Sequence, residues 1–355
     1  MEKFKLAKFR FDTAAQEKII LPPYKGSTFR GGFGYIFKKI VCVNKGQDCQ
    51  DCLLREKCLY ISIFETPPPE GTQIMRKYTS IPRPFVIEPP LDSKREYSQG
   101  EKLNFSLILI GKAIQYLPYF IFTFQELGKK GIGKGRRKYN LEKVDSLGLT
   151  QKSTIYKAED NLLRDSYHLI TSNDLEKVHS HLSQGRLALK SSTPFDFHKP
   201  SSSLSQNRLT LKFITPTRIK YEERLTKNLE FHIFMRNLLR RIYLLSYFHC
   251  QEESRKEEIV SSNNAAITSG DNVTIRLLID KAKKIKIENQ NLKWHDWERY
   301  SSRQDRRMKL GGFVGEITYK RENLKEFLPY ILLGSFTHVG KGATFGLGKY
   351  EIVNI

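Results

Sequence analysis

Apolar and polar residues alternate from Lys5 to Phe11, the pattern of a half-buried strand. Over Gly26–Ile40 the spacing lengthens: Phe29, Phe33, Ile36, Phe37 and Ile40 recur at helical intervals, with basic residues opposite, and predict a helix. An extended Pro-rich stretch around Pro67–Pro69 and Pro82–Pro90 precedes a predicted strand at Leu103–Ile110 and a helix through Ala113–Leu127. The apolar run Leu103–Phe124 contains Lys112, Gln115 and Pro118, so it reads as a buried strand and an amphipathic helix rather than a membrane span. A basic Gly-rich turn, GKKGIGKGRRKY, then leads into further strands. Strand–helix–strand–strand–helix–strand is the order of the split βαβ, or ferredoxin-like, domain.

The pattern repeats beyond a polar, Ser/Pro-rich stretch at 191–206 that reads as a linker. Arg208–Ile214 predicts a strand and Leu229–Tyr247 a long helix. Cys250–Asn272 reads as a polar loop and Val273–Ile285 as a helical or irregular piece. Strands at Lys286–Trp294 and Phe313–Tyr319, a helix at Leu324–Leu333, a Gly-rich turn and a last strand complete the order. The expectation is an α+β protein of two tandem ferredoxin-like (RRM-like) domains, 1–195 and 207–355, joined by 196–206, with a cysteine-rich insertion after the first helix.

Charge narrows the function. Sixty Lys and Arg against 38 Asp and Glu leave +22 over 355 residues, a balance suited to phosphate backbones. Seventeen Tyr and 22 Phe add stacking platforms, which favours single-stranded or loop RNA. The charged, alternating start lacks the pattern of a secretory signal, and a soluble cytoplasmic protein with no membrane partner is expected. Cys42, Cys49, Cys52 and Cys58 lie in one short loop at spacings suited to a closed tetrahedral site. Structural zinc is the first reading, with an iron–sulfur cluster or unliganded thiols as alternatives.

Several passages together resemble the CRISPR-associated family-six endoribonucleases of the RAMP superfamily, which process precursor crRNA. They are FRGGFGYIFKKIVC (Phe29–Cys42), CQDCLLREKCLY, FETPPP, RPFVIEPP, PTRIKY (Pro216–Tyr221), LLRRI (Leu238–Ile242), RYSSRQ (Arg299–Gln304), GGFVGEITY and HVGKGATFGLGKY (His338–Tyr350). The resemblance implies a pair of ferredoxin-like domains with RNA bound across them and a glycine-rich loop contacting repeat RNA. It also implies cleavage without a catalytic metal, the 2′-OH attacking its own phosphate to leave a 2′,3′-cyclic phosphate and a 5′-OH. CRISPR repeat RNA or precursor crRNA is the implied partner, with other CRISPR effector subunits besides, the chain acting as monomer or homodimer.

Such chemistry needs a base, an acid and a cation near the phosphate. Many members of the family carry a histidine on or near the first helix, whereas the first histidine here is His168. Tyr35, Lys38 and Lys39 are the candidates on that helix, Tyr35 and Lys39 sharing a face at i,i+4. The alternative is a half-core tyrosine beside solvated lysines. His338, directly before the glycine turn, is either a proton carrier facing bound phosphate or a packing residue. Candidate RNA contacts are Gly340, Lys341, Gly342, Gly346 and Gly348, whose turn could present successive backbone N–H groups to an anion. Arg299, Ser302, Arg303 and Gln304, with Lys134, Arg136, Arg137 and Lys138, complete the set. A non-catalytic crRNA-binding scaffold is the competing reading. A polymerase palm, which shares the fold, would need paired acidic metal ligands that the chain does not display.

Overall fold

Phe9 and Phe11 turn to the inward face of the first strand and set the plane on which the N-terminal half is built. A computed structural model describes residues 3–183, 208–251, 266–301, 306–320 and 324–354. The chain divides into two compact units, one of Phe4–Ile170 with Leu244–Gln251, the other of Thr171–Tyr243 and most of the remainder.

In the first unit, β1 (Lys5–Ala15), α1 (Gly26–Val41), β2 (Phe85–Glu88), β3 (Phe105–Ile110), α2 (Leu117–Lys130) and β4 (Tyr139–Leu147) follow in sequence. The sheet order is β2-β3-β1-β4, extended by β5 (Lys152–Lys157), and all pairs are antiparallel. This is the ferredoxin-like βαββαβ arrangement. Phe33 of α1 stacks on Phe120 of α2 at 5.0 Å, and Phe11 of β1 on Phe105 of β3 at 4.8 Å. Each such ring contributes on the order of 1.5–3 kcal/mol by burial. Gly34 permits this packing, because a Cβ there would overlap the Phe64 ring.

The second unit holds α3 (Ser172–Ser183), β6 (Arg208–Thr217), α4 (Phe231–His249) as far as Tyr243, α5 (Ala266–Ala282), β7 (Ile287–His295), β8 (Gly312–Lys320), α6 (Leu328–Thr337) and β9 (Tyr350–Asn354). Its sheet runs β7-β8-β6-β9, the same antiparallel order as the first, with Leu211 facing Ile317 on one side and Ile352 on the other. Phe231 of α4 packs edge-on against Tyr319 and Phe327 at 5.0 and 5.2 Å.

Several boundaries differ from the sequence expectation. Both α2 and α6 begin four residues later than predicted, after a 3-10 turn, because Pro118 and Pro329 are suited to a first helical turn and not to an interior. The predicted polar loop Cys250–Asn272 ends inside α5, while the predicted linker at 191–206 lies outside the described residues. A hairpin of Glu298–Ser301 with Arg306–Lys309 enters between β7 and β8, which the sequence pattern did not reveal.

Candidate nucleic-acid interface

The aromatic face of α1 is buried, so its opposite face must meet solvent, and Tyr35 stands there 55% exposed. One turn on, the Lys39 ammonium lies 4.3 Å from the Tyr35 ring centre. Its hydrogen bond and charge hold the Tyr35 phenol below the usual tyrosine range, with Arg136 and Lys130 pulling the same way. Tyr35 and Lys39 thus form a contacting pair, and the charges of Lys130 at the end of α2 and Arg136 in the basic turn act on the Tyr35 phenol. The arrangement can accept a proton beside a cation and can neutralise a phosphate.

Lys38 does not join them. It turns toward the cysteine loop, 5.5 Å from the Tyr60 ring, and Cys49 raises its pKa. In the basic turn, Lys134, Arg136 and Lys138 are exposed, while Arg137 pairs with Glu17 at 3.0 Å. Glu17 also accepts from the Lys138 backbone N–H, so one carboxylate fixes the shape of this turn.

The glycine turn in the second unit is built differently from the expected row of free N–H groups. Val339 donates to Gly348 O, Lys341 to Arg218 O, Phe345 to Gly342 O, Gly346 to Ala343 O and Gly348 to Pro216 O. The Lys349 N–H goes to Thr215 Oγ1. Internal acceptors therefore consume much of the supposed nest, and the glycines serve close backbone approach. Gly348, at φ +74°, has no room for a side chain, since a Cβ would overlap the Val339 carbonyl. Gly346 and Gly348 are buried, Gly340 and Gly342 half-buried, and Lys341 exposed at the tip. The His338 ring is fully buried, its Nδ1 at 3.0 Å from Leu347 O, which puts it inside the turn rather than toward a bound phosphate.

Two arginines that sequence reasoning passed over flank this turn. Arg218 gives its backbone carbonyl to Lys341, and Arg241 donates from Nε to the Thr337 carbonyl at 2.8 Å. Arg218 Nε and Arg241 Nη2 are buried without a hydrogen-bond partner, and among the described residues neither guanidinium meets a carboxylate. Burial lowers both pKa values, that of Arg241 to about 10. A guanidinium held this way favours an incoming anion, because an oxyanion would replace the solvation it lost. Their only sequence signal was membership of the PTRIKY and LLRRI passages.

Arg299 belongs to the inserted hairpin, paired in register with Met308, while Ser302, Arg303 and Gln304 lie outside the described residues. Cys42, Cys49, Cys52 and Cys58 are unbridged and line one pocket with Lys38, Arg55 and Tyr60. Among the described residues no three His, Cys, Asp or Glu side chains stand at the spacing of a closed metal site. No helix among them is long and apolar enough to cross a membrane.

The strands, α4 and the glycine turn of the second unit carry a recognisable sequence profile. Residues 211–350 match the family model of the CRISPR-associated endoribonuclease Cas6. Residues 4–168 match a second model, described as an N-terminal domain (AF_1859_N). An uncharacterized protein of Archaeoglobus fulgidus is 32% identical over 112 residues, which span 32% of this chain and 37% of that relative. Among solved structures, a chain of a partial Cas6-RT-Cas1–Cas2 complex superposes at a TM-score of 0.52 and 14% identity. That superposition covers 98% of this chain and 46% of the other. A Thermus thermophilus Cas6 in its product complex superposes at 0.51 and 15% identity, covering 98% and 99% of the two chains. Both likenesses are of fold. The ferredoxin-like architecture and the match to the Cas6 model therefore agree.

Proposed function

We propose that this chain is a metal-independent endoribonuclease that binds CRISPR repeat RNA and cuts precursor crRNA. The observation that carries the reading is the Cas6 match over the residues that hold the glycine turn and the two desolvated arginines. In the proposed reaction the 2′-oxygen attacks the adjacent phosphorus as Tyr35, in its phenolate form, takes the 2′ proton. The phosphorus–5′-oxygen bond breaks, leaving a 2′,3′-cyclic phosphate, and the departing 5′-oxygen takes a proton from the Lys39 ammonium. Lys39 and Arg136 offset charge on the phosphorane, as cations fixed before the reaction do most effectively. Arg218 and Arg241 take backbone phosphate, and His338 holds the glycine turn in shape.

The second reading, an RNA-holding scaffold, is favoured by the lack of a histidine on α1. Two of the similar folds come from Cas6-RT-Cas1–Cas2 complexes, which supports proposing other Cas proteins as partners, in the cytoplasm. Incubating the purified chain with repeat RNA in excess EDTA separates the readings. Cyclic-phosphate product supports the nuclease, whereas tight binding without product supports the scaffold.

A further inference from the structure

Between Val43 and Lys57 every residue is exposed except Cys49 and Cys52, and Cys42 and Cys58, both half-buried, bound the segment. Even its aliphatic side chains face water, Leu53 at 92% and Val43 at 80% exposure. The inward side of the loop is thus made of cysteine alone. All four thiols line a single pocket, whose wall also holds Lys38 and Arg55. A loop of this length that buries no apolar side chain has only exposed hydrogen bonds, such as Asn44 to Gln47 and Gln47 to the Asp51 carbonyl, to set against the entropy of ordering it. A few short turns, such as Arg55 N–H to Cys52 O at 2.9 Å, are its main backbone ties.

We infer that Cys42, Cys49, Cys52 and Cys58 form a structural zinc site that closes this loop onto the end of α1. Four thiolates on one zinc ion complete a tetrahedral, coordinatively closed centre, and such a centre contributes folding free energy directly. The four thiols share a pocket but do not stand at ligand spacing among the described residues, so binding the ion requires this exposed loop to rearrange around it. The tetrathiolate centre carries a net negative charge, and Lys38 and Arg55 sit where they offset it. Zinc fits better than a catalytic metal, because four sulfur ligands leave no open position for water. This inference is independent of the proposed RNA cleavage: a protein that binds zinc and cuts no RNA would sink the latter alone.

The full chain, purified under reducing conditions without chelator, should carry about one zinc per molecule by mass spectrometry. A mercurial reagent should release that zinc, read with a colorimetric chelator, and expose four additional reactive thiols. Cys49→Ser and Cys52→Ser should lose at least about ten-fold in zinc affinity, while Cys250→Ser retains it. Should the serine variants fail to fold, the thiol count on the unaltered protein still decides. Four freely reactive loop thiols and no bound zinc would overturn the site. Bound iron with inorganic sulfide and visible absorbance would overturn it as a zinc site.

Discussion

Tyr35 and Lys39 make a pair whose behaviour follows from one distance, the 4.3 Å between ammonium and ring. A nearby cation stabilises the phenolate, so the Tyr35 pKa lies below its usual value. Replacing Lys39 by Ala should therefore move the ultraviolet titration of Tyr35 to higher pH and, because Lys39 is also the proposed proton donor, lower the single-turnover rate across the pH profile. Tyr35→Phe should lower the single-turnover cleavage rate by about 10²–10⁴-fold and change RNA affinity by less than about 3-fold. If rate and affinity fall together, Tyr35 binds rather than reacts. Arg241 behaves in the opposite way: its desolvated guanidinium gains most when an anion arrives. Arg241→Ala should weaken RNA binding by about ten-fold or more, measured by filter binding at fixed salt.

At the level of helices and strands, the close fit of α1 gives a contrast within one element. Gly34 faces the Phe64 ring and Gly31 faces open space. Gly34→Ala should destabilise the first unit by about 1–3 kcal/mol through overpacking, whereas Gly31→Ala should stabilise it by about 0.5–1 kcal/mol through helix propensity. Chemical denaturation followed by circular dichroism reads both. On β4, Asp145 has a fully buried side chain; burial raises its pKa, but Thr154 at 2.7 Å, Lys152 at 2.9 Å and Lys143 at 3.1 Å outweigh that and hold it low. A depressed carboxyl pKa contributes stability that is present above the ordinary aspartate value near about 4 and is lost as pH falls through the folded value. Asp145→Asn should therefore flatten the acid limb of the stability–pH curve below about pH 4.

These elements also show what could be read from the chain. Phe29, Phe33 and Phe37 announced α1, and alternation announced β1, because amphipathic burial is local in sequence. The ferredoxin-like order followed from the succession of such patterns. The turn chemistry did not follow: the glycines around Gly348 suggested open N–H groups, but some acceptors lie within the turn and two, Pro216 and Arg218, lie at and just past the end of β6, more than a hundred residues earlier. For the same reason Arg218 and Arg241 passed as ordinary basic residues, since desolvation depends on what folds over them. Lys38 and Lys39 are neighbours in sequence, yet one helical step of about 100° sends them to different environments.

Across the whole chain, the charge of +22 means that the proposed RNA binding should be governed by counterion release. Affinity for single-stranded repeat RNA should fall linearly with salt on logarithmic axes, and each phosphate-contacting cation removed should reduce the slope by about 0.7. Lys134→Ala and Arg218→Ala should each do so, while Lys281→Ala, whose ammonium is paired with Glu326 at 2.7 Å, should not. The reaction itself allows the sharpest test. Single-turnover cleavage in excess EDTA should be measured with repeat RNA and with the same RNA carrying one 2′-deoxy sugar at the cut site. The account predicts rapid cutting of the first to a 2′,3′-cyclic phosphate, and tight binding without cutting of the second. Cutting of the deoxy strand at an equal rate, or a requirement for added metal, would contradict it.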